Sequence, residues 1–371
     1  IIYRYFLFLS LVGLMQLTLS CSSSSNEIEP LKPEGEDTPL EKDEYTFMNV
    51  EYRKWQNGTF QAWTTADSRE TRTIDNMNWY TPSSDYSRTA WGGRIGLQPS
   101  SVVGKEGFFR VANCGGRSYL LDPDNGAVII HGIQHVRPGE STAHKKAFGT
   151  RYGSEARWSE ETGKLLADNH INYISYGSNR IEVFPAAVRG NLLTPKTQKI
   201  AYAENLYLLR TFMWDMSKNL GYAFDDDKYN RLVLLFEPTF ATYIDRLVQE
   251  KSALFAGDRH FIGFYLDNEL PFASYQGTGY ANTEGGGWLV HTQKNRGEFY
   301  QNFCLRLLET RNCVGWVHFE YNDGYDSNGK ASNKGVVSIE YEPYESFLSQ
   351  MRQLNLSVHS LIDYYDIKSV Q

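Results

Sequence analysis

Cysteine is scarce in this 371-residue sequence, with four in all. Cys21 stands near the start, and Cys114, Cys304 and Cys313 remain, an odd number that permits at most one bridge. A disulfide-stapled fold is therefore excluded. No Cys/His spacing matches a zinc site and no glycine-rich phosphate loop follows a strand, so neither metal nor cofactor is expected. The net charge is -7 with no basic cluster, which argues against nucleic acid as a partner. The apolar run at residues 5–19 is fifteen positions long, short of the ~20 that a membrane span requires. What is present is an ordinary globular composition, 41% hydrophobic, in a chain long enough to bury a sizeable core. Aromatic residues reach 14%, and flat aromatic faces serve sugar clefts and hydrophobic cores alike.

Composition divides the chain into four parts. Residues 1–21 carry Arg4, the apolar run, and Leu17-Thr18-Leu19-Ser20 before Cys21. Small residues closing a short apolar stretch ahead of a cysteine resemble a bacterial lipoprotein signal, with Cys21 as the lipidated residue. The alternative is a transmembrane anchor, which the shortness of the run disfavours. Residues 22–44 are Ser, Pro, Glu, Asp and Gly with almost nothing apolar, and cannot bury enough surface to order themselves. They read as a disordered tether. The expectation is an exported lipoprotein held by its lipid at the cell surface or in the periplasm of a Gram-negative bacterium.

Residues 45–126 are rich in Thr, Trp, Tyr and Gly and read as short strands. Within them, residues 108–126 predict a hairpin about Gly115-Gly116, followed by a turn over Asp122 to Gly126. From 127 to 371 strands and helices alternate. Residues 127–134, 172–176, 206–213, 261–266 and 314–321 read as strands. Helical spacing marks 157–169, with Glu160 and Glu161 in its first turn, as well as 240–255 and 291–310. Residues 322–333 are a polar loop, and 344–365 a closing helix with a break. His131 and His135, in and after the first of these strands, are read as core or loop residues.

The whole is organised around residues 260–272. Phe261 to Leu266 are apolar, aromatic or Gly, too short a run for a helix, and predict a strand buried on both faces. Asp267-Asn268-Glu269 follow, and Pro271 stops the pattern. A carboxylic acid beside a neutral amide at a strand end suits glycosidic cleavage. The acid protonates the leaving oxygen, while the amide holds the sugar 2-hydroxyl.

Asn268-Glu269 after a hydrophobic strand resembles the acid/base motif of clan A glycoside hydrolases. The longer string Gly263-Phe264-Tyr265-Leu266-Asp267-Asn268-Glu269-Leu270 is similar to the agarases of glycoside hydrolase family 50 and their relatives. Segments around Arg117, His135, Gln293, Gln301, Trp316 and Glu342 resemble the same group, so the likeness spans about residues 108–365. It implies a (β/α)8 TIM-barrel-like α/β fold with a small β-rich N-terminal appendage, and hydrolysis of a β-linked galactan. Glu269 would be the general acid/base, Asn268 would hold the substrate, and Asp267 would orient the pair. Trp316, His318 and Trp288 would be substrate-binding residues.

The resemblance breaks at the second carboxylate. The family carries its nucleophile far beyond the acid/base, ahead of a glycine-rich loop. Here such a loop, residues 282–288, follows Glu269 almost at once. Only five strands are legible where a barrel has eight. No carboxylate carries the nucleophile motif, and Glu320 and Glu284 are the weak candidates left. Alternatives to an enzyme are a non-catalytic glycan-binding relative and a truncated product.

Overall fold

The computed structural model describes residues 45–56, 59–83, 85–178, 184–220, 237–267, 288–325 and 331–368. Cys21 and the tether, Asn268, Glu269 and Glu284 lie outside the described residues. All that is described belongs to one unit, residues 43–371.

The first part of the chain is antiparallel. β1 (Met48–Arg53) leads through the short hairpin of β2 (Trp55–Gln56) and β3 (Thr59–Phe60) to β4 (Asp67–Thr71), which returns against β1. β5 (Ser101–Val103), β6 (Arg110–Cys114), β7 (Arg117–Leu121) and β8 (Ala127–Val128) form a sheet in that order. The β6–β7 turn is the expected Gly115-Gly116, with φ of 59° and 81°, backbone that fits a tight hairpin and that side chains resist. In the next turn Asp122 Oδ1 accepts from the amides of Asp124 and Gly126, at 2.9 and 3.0 Å. The expected strand 127–134 is two. At Ile129 the chain leaves the antiparallel sheet, and β9 (Ile130–Ile133) opens a parallel one.

The remaining elements alternate. α1 (Thr142–Arg151) and α2 (Glu155–Asp168) precede β10 (Tyr173–Ile174), and α3 (Ala186–Leu193) precedes β11 (Ala201–Asn205). α4 (Leu208–Leu220) and α5 (Phe240–Leu254) lead to β12 (Phe261–Tyr265). β13 (Leu289–Val290) joins the edge of β1, and α6 (Gln293–Glu309) delivers β14 (Gly315–His318). A small ribbon, β15 (Gly324–Tyr325) with β16 (Ala331–Ser332), precedes the long α7 (Glu345–Lys368). The parallel sheet has the order β12-β11-β10-β9-β14, so the first four strands lie in sequence and the last returns beside the first. Among the described residues β12 and β14 are its edges. The expected α/β class with a parallel sheet is present, and the described strands do not close into a barrel.

Alternation along the strands sorts the core. Ile133, Ile174 and Tyr202 point toward the helices, where they meet Trp158 and Leu166 of α2 and Leu192 of α3. Ile130, Tyr173, Ala201 and Ala203 point to the other face, covered at its base by Trp91. The β-rich region is no separate appendage. Tyr45, Ile74, Met77 and Leu121 share a core with Leu305 and Leu308 of α6 and Leu354 and Val358 of α7. Two guanidinium groups with fully buried side chains bind the same layers, Arg72 to Glu309 and Arg117 to Asp366.

Three expectations are corrected. Residues 206–213 are not a strand: β11 ends at Asn205 and α4 begins at Leu208. Leu209, Phe212 and Met213, spaced for one helical face, pack on Phe240 and Tyr243. β12 is half-buried along its length rather than buried on both faces, as an edge strand would be. α7 runs unbroken for 24 residues. Midway along it Asn355, a polar residue in a buried helix, donates its side-chain amide to the carbonyl of Asn169.

Candidate active site

In a parallel sheet flanked by helices the strand ends that follow the C-terminal residues carry chemistry, because the loops there converge without obstruction. At that edge β12 and β11 are zipped together beyond their ladder. The amides of Leu206 and Leu208 donate to the carbonyls of Tyr265 and Leu266, at 2.9 and 3.0 Å. Asn205 Nδ2 donates to the Asp267 carbonyl at 3.2 Å, and Asp267 Oδ2 accepts from the Leu209 amide at 2.8 Å. A carboxylate on the first turn of α4 satisfies an amide that has no partner within the helix and complements the helix dipole. Asp267 therefore ties the exit of β12 to the start of α4.

The middle of the sheet supplies hydroxyl groups. Tyr173 and Ser175, two residues apart, present to the same face and both donate to the Tyr265 hydroxyl, at 3.2 and 3.3 Å. With two bonds accepted, Tyr265 keeps its own proton for a third partner. Burial, reinforced by Tyr265, raises the Tyr173 hydroxyl far above the ordinary phenol range, so it stays a donor. The Tyr176 ring lies 4.7 Å from that of Tyr265. Around these groups Tyr265, Leu266, Val317 and Phe319 are 36 to 55% exposed, an aromatic and aliphatic surface open at the strand ends.

The last strand contributes an acid–base pair. Glu320 follows β14 and His135 follows β9, its neighbour in the sheet. His135 Nδ1 lies 3.0 Å from Glu320 Oε2, with both side chains partly exposed. Phe319 meets the His135 ring edge-on at 5.0 Å. His135 has a φ of 57°, and beneath it Gly177 has a φ of 78°. A Cβ on Gly177 would stand 2.3 Å from His135 Cδ2, so only glycine lets the ring sit there.

The other expected binding residues are elsewhere. Trp316 is buried on the helix side, where its indole nitrogen donates to the Tyr300 hydroxyl at 2.6 Å. His318 faces the same way, between Tyr300 and Phe347, and bonds the Lys334 carbonyl at 2.9 Å. Burial, then Arg296, pushes its imidazole down to about 4. The two side chains point away from the open face because even and odd positions of a strand face opposite ways. Trp288 precedes β13 and stacks on Tyr52 of β1 at 4.1 Å, in the antiparallel sheet. The structure thus brings Asp267 and Glu320 to the strand ends, and leaves Trp316, His318 and Trp288 in packing.

Tyr173, Ser175 and Tyr265 were not singled out from the sequence. The signal was available in strand alternation, which puts Tyr173 and Ser175 on one face, but the partner strand was needed to see Tyr265 meet them. Among the described residues no group of three or more His, Cys, Asp or Glu side chains could hold a metal ion. A cleft of about 670 Å³ lies between the β6–β7 hairpin and the end of α7, lined by Tyr119, Arg311 and Asp366. It includes none of the strand-end residues, and the chemistry argues for the strand ends.

Parallel strands flanked by helices, with tyrosines, a histidine and carboxylates at their C-terminal ends, define an α/β protein. The comparisons narrow the fold further. It is similar to the crystal structure of BpGH50, with a TM-score of 0.69 at 18% identity over 87% of this chain and 96% of that one. An agarase, AgWH50C, overlaps with a TM-score of 0.45 and 12% identity, over 76% of this chain and 67% of that one. An exo-beta-agarase overlaps with 0.42 and 11%, over 76% and 69%. No family model matches the sequence, and no curated protein does.

Proposed function

We propose that this protein is a glycoside hydrolase of the agarase-like kind, acting on a β-linked galactan, with Glu269 as general acid/base. The observation that carries the reading is the exit of β12. The strand ends at the C-terminal edge of a parallel sheet, and Asp267 is held there by α4. Asn268 and Glu269 are the next residues in the chain, as the acid/base motif requires. The fold likeness to BpGH50 supports the same reading. Asn268 holds the sugar 2-hydroxyl, Asp267 orients the pair, and Tyr265 offers its proton to a ring or glycosidic oxygen. Burial of Glu269 would keep it protonated near neutrality. Hydrolysis proceeds with retention where a second carboxylate stands about 5 Å from Glu269. Delivery to the cell surface or periplasm through a lipid on Cys21 completes the proposal.

A second reading is a relative that binds glycans without cutting them. Trp316 and His318 lie in packing rather than on the open face, which favours it. Purified protein incubated with agarose, porphyran and β-galactoside oligosaccharides separates the two. Reducing ends that appear with wild type and vanish with Glu269→Gln support hydrolysis. Binding without product supports the second reading, and neither binding nor product refutes both.

A further inference from the structure

At the opposite end of the sheet, where the parallel strands begin, three buried side chains present nitrogen atoms that meet no partner from the protein. They are His131 Nε2, His359 Nδ1 and Gln198 Nε2. His131 is on β9, His359 on α7, and Gln198 on the approach to β11; all three residues are at least 92% buried, with exposures of 4, 1 and 8%. All three line one small space of about 10 Å³, together with Arg88, His170 and Asn172. An unpartnered polar atom in such a place costs about 1–3 kcal/mol, and three around one space call for a common partner.

The remaining hydrogen bonds fix which atoms donate. His131 Nδ1 faces the His170 carbonyl at 3.3 Å, and His359 Nε2 faces the Gly92 carbonyl at 3.3 Å. A carbonyl accepts only, so each of these nitrogens carries the proton, and a neutral ring then presents a lone pair from its other nitrogen. Neutrality is enforced: burial first, with the Arg88 guanidinium adding to it, pushes His131 down to about 3 and His359 to about 4. Gln198 is the complement. His170 hydrogen-bonds its amide group, which leaves the Nε2 hydrogens as donors toward the space. The space therefore faces two acceptors and one donor.

We infer that this is a binding site for a single ordered water, which donates one hydrogen to His131 and the other to His359 and accepts from Gln198. Water is the one small ligand with two donors and two acceptors, and a space of this volume holds one molecule. Two lone pairs aimed inward repel an anion, in spite of Arg88. A cation would find only two ligands and a guanidinium in the same wall. The water joins β9, α7 and the segment before β11, three elements that share no ladder at this end, so it acts as a structural pin beneath the sheet.

The test is crystallographic and spectroscopic, on the full chain. At about 1.5 Å resolution, one peak within ~2.7–3.2 Å of all three nitrogens and refining as oxygen is expected. The ¹⁵N shifts of the imidazoles at neutral pH should give the Nδ1–H tautomer for His131 and the Nε2–H tautomer for His359. An anomalous peak there after a bromide soak, or at a transition-metal absorption edge, overturns the inference. So does a space without density, or either histidine in the opposite tautomer.

Discussion

Acidification should unfold this protein through its buried imidazoles, of which His131, His359 and His318 are pushed lowest; the first two share one space. His131 and His359 are held neutral by burial, their pKa values lowered from 6.5 to about 3 and about 4. In the unfolded chain both return to the ordinary value. The groups facing them are Arg88, Arg94, His170 and Asp363. Between these pKa values the unfolded state binds more protons, so stability rises with pH and is lost as pH falls below 6.5 toward the folded values. From about pH 6 to about pH 4.5 each imidazole contributes a loss of ~1.5–2 kcal/mol, and the pair ~3–4 kcal/mol. That is a large part of the ~5–15 kcal/mol typical of a whole domain. Buried carboxyls act too: burial raises Asp122, which has the opposite slope. The imidazole term is therefore isolated by comparison. Urea unfolding at the two pH values is measured for wild type and for His359→Gln, which keeps polarity and removes the titration. The variant is less stable at the upper pH, and its loss on acidification is smaller than that of wild type by ~1.5–2 kcal/mol. Equal losses in the two proteins would refute the reasoning.

Other perturbations read other parts of the structure. Tyr265→Phe removes the proton offered at the strand ends and leaves the ring packed on Tyr176. Under the hydrolase reading it lowers kcat/KM on a galactan about tenfold, and it costs ~1–3 kcal/mol in a thermal melt because the buried Tyr173 and Ser175 hydroxyls lose their acceptor. Gly177→Ala meets His135 Cδ2 and adopts a φ that side chains resist, so it costs ~1–3 kcal/mol in a thermal melt and displaces the His135–Glu320 pair. Glu309→Ala leaves the Arg72 guanidinium, whose side chain is 0% exposed, with its charge unpaired, a loss of ~3–5 kcal/mol in urea unfolding. Trp316→Phe removes the donor to the Tyr300 hydroxyl. It lowers stability by ~1–2 kcal/mol while glycan affinity holds, whereas a substrate-stacking role would reverse that pattern.

How much could be read from the residues alone depended on whether the deciding interaction was local. The Gly115-Gly116 hairpin was legible because two glycines and flanking alternation determine a turn without outside help. The helix now seen as Glu155–Asp168 was legible from its spacing, and Ser154, which caps it, adds the start signal. The stretch 206–213 was misread because Leu206 to Met213 is as apolar as a strand. Its helical face packs on Phe240 and Tyr243, and its first turn is closed by the Asp267 carboxylate at the Leu209 amide, a bond spanning 58 residues. The same nonlocality separated the candidate site. Trp316 and His318 were expected at the substrate from the family resemblance, and only the β14 register against β9 decides that even positions there face the helices. The His135–Glu320 pair joins residues 185 apart, and the Tyr265 cluster joins three strand positions that sequence distance conceals.

Glu320 gains from this what it lacked as a motif. On the sequence it was a carboxylate in the wrong context. In the fold it stands at the end of the strand next to β9, with an imidazole 3.0 Å away. A carboxylate so paired is held in orientation at the strand ends, which is what a nucleophile or a stabiliser of positive charge at a sugar carbon requires. It is equally what a binding carboxylate for sugar hydroxyls requires. Glu320→Ala, which leaves room for an added anion where the carboxylate stood, distinguishes these roles within the hydrolase reading. As nucleophile its loss abolishes turnover, and azide restores it by forming a glycosyl azide in place of the glycosyl-enzyme. As a binding group its loss raises KM while kcat survives, and azide changes nothing. Rescue by azide would put the missing second carboxylate on β14's exit, across the open face from β12, and would make the sheet's two described edges the two walls of one active site.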